Sequence, residues 1–299
     1  MPPRTGSAGT ARAERILETV TDTAFPGPHG PVPARLYGSP DTATPTLVWL
    51  HGGAFSHGDL NMPEAHDVGL GLAARGIHVI SVDYRRVPPW SPFRKTRPGK
   101  LPGIRFPVPL EDVTAAFTAV AKSLSDGGVE TTRIALGGAS AGACLAAGAT
   151  LDLGTRQNGP SSLVLAYPTL HAQLPPLQQE VKRKLRGPRG LWQFTPATVE
   201  RMNRNYAGSL QNMNDPRAFP GGADLSQFPD TLILNAEYDT LRASGDAFAS
   251  ELAAHHVSVE NEYQPGTRHG FLNRPATPAM TTGLDRIASW LQTRARSRM

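Results

Sequence analysis

Short apolar runs alternating with amphipathic stretches constrain this chain more than any other feature. "TPTLVWL", "GIHVISVDYR", "TTRIALGGAS", "SSLVLAYPTL" and "DTLILNAEYD" are runs in which almost every position is apolar. Between them lie "MPEAHDVGLGLAAR", "LEDVTAAFTAVAKSL", "AGACLAAGATLDL" and "LRASGDAFASELAAHH", with apolar residues at helical spacing. Strands buried on both faces lose the polar alternation of a half-solvated sheet, and crossover helices supply the cover. The pattern predicts an α/β fold with a mostly parallel sheet. Two leading strands, "RILETVTDTAFPG" and "GPVPARLYGS", a last strand "VSVENEYQPG" and a closing helix "DRIASWLQTRARS" bring the expected sheet to about eight strands with helices on both faces.

Two segments interrupt the rhythm. Residues 88–109 form a long Pro-rich loop, and residues 171–214 hold about two short helices where a single crossover would suffice. Both follow predicted strands, so both are expected above the carboxyl ends of the sheet, where open α/β folds bind ligands. The reading is one domain over 1–299, a cap insertion at 171–214 and an extended loop at 88–109 near the site. Leu191, Trp192, Phe194, Met202 and Tyr206 of the cap, with Trp90 and Phe93 of the loop, are candidates to line a pocket there, with ordinary core as the alternative.

Composition narrows the class. A chain of 299 residues that is 39% hydrophobic can bury a large core, and its 30 glycines and 28 prolines show no triplet period. The one cysteine, Cys144, excludes an internal disulfide and a Cys-rich zinc site. No secretory leader and no apolar run of membrane-spanning length is seen, so a cytoplasmic location is expected. The net charge of +5 arises from clusters at 94–100, 182–189 and the C-terminal tail. These lack aromatic interleaving and a nucleic-acid module, so they read as solvated surface, with attraction of an anionic substrate or partner as the alternative.

Three pieces of sequence suggest chemistry. Gly138-Ala139-Ser140-Ala141-Gly142 fits G-x-S-x-G between a β-run and a helix-run, the turn that presents a serine nucleophile. Serine needs a base and an acid to orient that base. Asp239 ends one predicted strand and His269 follows the last, in the order Ser, Asp, His. Glu237 is the alternative acid; His255, His256 and His78 lie in or beside regular elements and read as packing residues. "HGGAF" (51–55), after the strand "TLVWL", offers backbone amides to a developing oxyanion, with His51 as a brace.

In this order "HGGAF", "VDYR", "GASAG", "EYDTLR" and "RHGF" resemble the hormone-sensitive-lipase-like family of α/β-hydrolase esterases, from about residue 20 to the C-terminus. The resemblance implies an α/β-hydrolase fold with a small helical cap. It implies Ser140 as nucleophile, Asp239 as orienting acid, His269 as base, and Gly52, Gly53 and Ala141 as oxyanion donors, with no metal or organic cofactor. Ala54 stands where the third glycine of the oxyanion loop is usual, Ala139 replaces the acidic residue commonly before the nucleophile, and the loop 88–109 is longer than the usual link. The expected partner is a small-molecule ester, not nucleic acid; a homodimer is left open. The expected function is that of a serine carboxylesterase for short- to medium-chain esters. The alternatives are a lyase, cyclase or deacylase acting on a specialised metabolite in the same pocket, or a non-catalytic small-molecule receptor.

Overall fold

A computed structural model describes residues 19–40, 44–91, 99–129, 133–154, 159–187 and 193–296. Among the described residues eight strands form one sheet in the order β1-β2-β4-β3-β5-β6-β7-β8. They are β1 (Thr21–Phe25), β2 (Val32–Tyr37), β3 (Thr46–Leu50), β4 (His78–Val82), β5 (Ile134–Ala139), β6 (Ser162–Ala166), β7 (Asp230–Tyr238) and β8 (Val259–Arg268). Strand β2 runs antiparallel to β1 and β4, and every pairing from β4 to β8 is parallel.

Side-chain alternation explains the uniformly apolar strands. On β3, Val48 and Leu50 join one buried cluster while Leu47 and Trp49 join another across the sheet. The first cluster takes the buried faces of α2 (Val108–Asp126), α3 (Ala141–Leu153) and α7 (Arg242–Ala254); the second takes those of α1 (His66–Ala73) and α8 (Pro278–Arg296). Helix α3 is buried at every position from Ala141 to Thr150, which accounts for its run of alanines and glycines. A side chain at Gly148 would overlap the Arg217 carbonyl.

Several boundaries differ from the expectation. Helix α1 begins at His66, four residues into "MPEAHDVGLGLAAR", and α2 begins at Val108, inside the segment expected as the loop 88–109. Strand β8 lies two residues later than "VSVENEYQPG". Helix α8 begins at Pro278, seven residues before "DRIASWLQTRARS". There the Thr277 hydroxyl accepts the Met280 N–H at 3.3 Å and proline occupies the first turn, where its missing N–H costs nothing.

The cap region contains three described helices: α4 (Gln179–Lys184), α5 (Pro196–Ala207) and α6 (Leu210–Met213). Thr195 caps α5 by accepting the Thr198 N–H at 3.1 Å, and Gly208 ends it in the left-handed region at φ 74°. The described part of the Pro-rich loop packs on that same end. Leu101 N–H donates to the Gly208 carbonyl at 2.7 Å, and Arg105 donates to Asn205 Oδ1 at 2.7 Å. Among the described residues no helix is long and apolar enough to cross a membrane.

The connections from β3 and β5 leave in opposite directions, toward β4 and β6 respectively, although the two strands are neighbours. A crevice opens above their carboxyl ends at such a reversal. His51 to Phe55 follow β3 there, and Ser140 follows β5.

Candidate active site

Ser140 occupies the turn between β5 and α3 at φ 52° and ψ −113°, a conformation that L-residues rarely adopt and that costs about 1–3 kcal/mol. Its neighbours make the turn possible. A Cβ on Gly138 would lie 2.5 Å from the Gly142 carbonyl carbon and 2.8 Å from the Leu50 carbonyl oxygen, and one on Gly142 would overlap the Leu50 and His51 carbonyls. The Ser140 N–H donates to the Ala166 carbonyl at 2.9 Å, which fixes the turn to the end of β6.

His269 and Asp239 come to this serine from the ends of β8 and β7. His269 Nε2 lies 2.9 Å from Ser140 Oγ, and His269 Nδ1 lies 2.6 Å from Asp239 Oδ2. A carboxylate only accepts, so Nδ1–H is the donor and Nε2 is left to accept from the serine hydroxyl. Asp239 is fully buried, and its second oxygen accepts the Leu241 N–H at 2.9 Å. Burial by itself would lower the His269 pKa; the Asp239 charge and hydrogen bond, with a smaller contribution from Glu64, outweigh it and raise the pKa above the ordinary histidine value.

The other candidates fall elsewhere. Glu237 accepts from Lys184 Nζ at 2.7 Å and from the Gly266 N–H at 2.8 Å, which ties cap helix α4 to the sheet. His78 is buried against Thr46 Oγ1 at 3.2 Å, and burial pushes its pKa down to about 4. His255 lies 3.6 Å from Asp224 on the far end of α7. Tyr206 is stacked on Phe55 at 4.0 Å inside the core. Trp90 packs half-buried on that core. Leu191, Trp192 and Phe93 lie outside the described residues, as do most of 94–100 and residues 188–189 of the second basic cluster.

The glycine loop needs one correction. Gly52 does not offer its amide to the crevice, because its N–H donates to Glu64 Oε2 at 2.6 Å. The loop then passes through positive φ at Gly53 (113°), Ala54 (54°) and Phe55 (63°). Among the described residues no backbone acceptor takes the N–H of Gly53 or Ala54. His51 braces this loop from behind. Its ring stacks on Tyr84 with centroids 4.6 Å apart, while the Tyr84 hydroxyl donates to the His51 carbonyl at 2.8 Å.

A cavity of about 310 Å³ opens over Ser140 and His269. Its lining includes Gly53, Ala54, Met62 and Glu64, with Phe194 and Met202 from the cap and Asn273 from the loop after β8. The Phe194 ring meets His269 edge-on at 5.0 Å. Phe194 and Met202 were legible as aromatic or apolar members of a cap, whereas Glu64 and Asn273 carry no local motif. Among the described residues no three His, Cys, Asp or Glu side chains converge to hold a metal ion.

A family model described as alpha/beta hydrolase fold matches residues 100–273, and a second, BD-FAE, matches residues 36–159. The chain is 34% identical over 270 residues to the carboxylic ester hydrolase LipN of Mycobacterium tuberculosis, covering 87% of this chain and 66% of LipN. It is 29% identical to an acetyl esterase of Salmonella choleraesuis, covering 91% of this chain and 82% of that one. A hyperthermophilic esterase from Pyrobaculum calidifontis superimposes with a TM-score of 0.76 at 30% identity, covering 96% of this chain and 90% of that one. The chain therefore belongs to the hormone-sensitive-lipase-like esterases of the α/β-hydrolase fold. The class is that of carboxylic ester hydrolases.

Proposed function

We propose that this protein hydrolyses short- to medium-chain carboxylic esters through an acyl-enzyme on Ser140. The observation that carries the reading is the unbroken hydrogen-bond chain from Asp239 through His269 to Ser140, at 2.6 and 2.9 Å. Ser140 Oγ attacks the ester carbonyl while His269 Nε2 takes its proton, and the buried Asp239 carboxylate stabilises the imidazolium. His269 then gives that proton to the departing alkoxide, and the alcohol leaves. Water, deprotonated by the same nitrogen, attacks the acyl carbonyl; the bond to Ser140 Oγ breaks, the carboxylic acid leaves, and His269 returns the proton to Oγ.

The negative charge that develops on the carbonyl oxygen needs donors fixed in advance, each worth about 3–4 kcal/mol of barrier. Gly53 and Ala141 remain as donors. Ala54 takes the place of Gly52, whose amide is occupied by Glu64. An alanine serves because the donor is the backbone N–H.

The test is hydrolysis of p-nitrophenyl esters from acetyl to dodecanoyl, with Ser140→Ala measured alongside. The expected result is turnover with a short-chain optimum, lost by about 10⁴-fold or more in the variant. Turnover that survives in Ser140→Ala would reject the mechanism.

A further inference from the structure

Glu64 is 3% exposed and lines the cavity, yet it belongs to none of the sequence pieces that define the site. Each of its polar groups is engaged, and the partners come from the ends of three strands. Its Oε2 accepts the Gly52 N–H after β3 at 2.6 Å, and its Oε1 accepts the Tyr167 hydroxyl after β6 at 2.5 Å. Its backbone N–H donates to Asn273 Oδ1 in the loop that follows His269, at 3.1 Å, and its carbonyl accepts the Trp49 indole N–H at 2.8 Å. Gly52 is wedged between this carboxylate and the nucleophile: a Cβ there would lie 2.5 Å from Glu64 Oε2 and 3.2 Å from the Ser140 Cβ.

We propose that Glu64 is a positioning residue for the esterase reaction, anchoring the Gly52 amide so that the next two amides face Ser140, and holding a second negative charge toward His269. The inference rests on the proposed acyl-enzyme reading. A charge is informative here because an amide side chain of the same shape keeps one acceptor, for the Gly52 N–H, and turns a donor toward the Tyr167 oxygen. Both direct donors to the carboxylate are neutral, the Gly52 amide and the Tyr167 phenol. Tyr167 also meets the His269 ring edge-on at 5.0 Å, so one side chain bridges the carboxylate and the imidazole, both of which line the cavity. The titratable groups around His269 are Asp239 from the end of β7, Tyr167 from the end of β6, and Glu64 and His57 in the cavity lining. Of these, Asp239 and Glu64 favour the imidazolium that forms as the serine proton is taken.

Two variants separate anchor from charge. Glu64→Gln retains an acceptor for the Gly52 N–H and removes the charge; Glu64→Ala removes both. The His269 ring titration, followed by NMR in wild type and Glu64→Gln, is expected to move to lower pH in the variant, with the acid limb of kcat/KM moving in parallel. In Glu64→Ala, kcat is expected to fall roughly tenfold to a hundredfold with KM within about threefold, as a loosened oxyanion loop requires. An unmoved His269 titration in Glu64→Gln would overturn the proposal, even if melting temperature fell, because a purely structural carboxylate changes stability alone. Wild-type kcat in a folded Glu64→Ala would overturn the anchor. The titration needs no turnover, so a wild type that hydrolyses no ester would reject the reaction while the NMR result still decides the role of Glu64.

Discussion

At the scale of single residues, this site concentrates unfavourable backbone around its reactive atoms. Ser140 at φ 52° and Ala54 at φ 54° both carry a Cβ where glycine would be relaxed. Ser140→Gly is therefore expected to be more stable than Ser140→Ala by about 1 kcal/mol in urea unfolding, although both lack the nucleophile. Equal stabilities would mean that the turn is unstrained. The second residue-scale expectation concerns pH. His269 must be neutral to accept the serine proton, so activity falls as pH drops through its pKa. That pKa is raised above 6.5, which places the acid limb of kcat/KM above the ordinary histidine value. In Asp239→Asn the attraction is lost while burial still disfavours the imidazolium, so the limb moves down, and kcat falls by roughly 10⁴-fold because the amide does not hold the tautomer. A limb that stays in place in Asp239→Asn would show that this carboxylate does not govern the histidine. Ser140, Asp239 and His269 were legible because each follows an apolar run, and a strand end can be read locally. The engagement of the Gly52 amide was not legible, because it faces a carboxylate twelve residues away and nothing in "HGGAF" signals that contact.

At the scale of elements, buried side chains and polar pairs together hold the cap to the sheet. Lys184 on α4 reaches Glu237 at 2.7 Å and Glu180 at 2.9 Å, and the Thr195 cap begins α5. Glu237→Gln separates the two carboxylates that sequence alone left open. It is expected to keep kcat within about threefold and to leave the acid limb unmoved, because Glu237 bonds α4 and the Gly266 amide and not the imidazole. A part-exposed ion pair contributes only about 0–1 kcal/mol, so its stability loss should also be small. A kcat collapse in Glu237→Gln would return it to the role given to Asp239. Helix α3 matched its expected bounds because Gly, Ser and a strand fix its start and the residues after Leu153 turn polar. The first seven residues of α8 do not stand out in the sequence because "PATPAMTTG" has weak helical periodicity; Thr277 as cap and Pro278 in the first turn are the local signals for its start. Tertiary packing on Phe271 and Leu272 stabilises that first part, and packing of this kind is invisible to a local pattern.

At the scale of the whole molecule, the topology decides where chemistry can occur, and the cap decides what fits. The reversal between β3 and β5 opens the crevice, and all three residues of the hydrogen-bond chain lie at carboxyl ends of parallel strands. That placement follows from the order of runs in the sequence. The shape of the cavity does not, because its walls come from residues as distant as Met62 and Met202, brought together only by folding. At about 310 Å³ the cavity is near the lower end of ligand pockets, which run from about 300 to 1,000 Å³. Acyl chains up to about butanoyl are therefore expected to give the highest kcat/KM. Phe194 is the wall most open to test: it is half-buried, and its ring stands against His269, whereas Met202 is a core residue whose removal would cost stability. Phe194→Ala should lengthen the accessible channel. With each additional buried methylene contributing about 0.8 kcal/mol, two of them raise the octanoyl-to-acetyl ratio of kcat/KM by roughly tenfold. The ratio is the proper readout, since losing the ring beside His269 lowers both rates together. An unchanged ratio would place the acyl chain on the Met62 side of the cavity and leave Phe194 facing the alcohol.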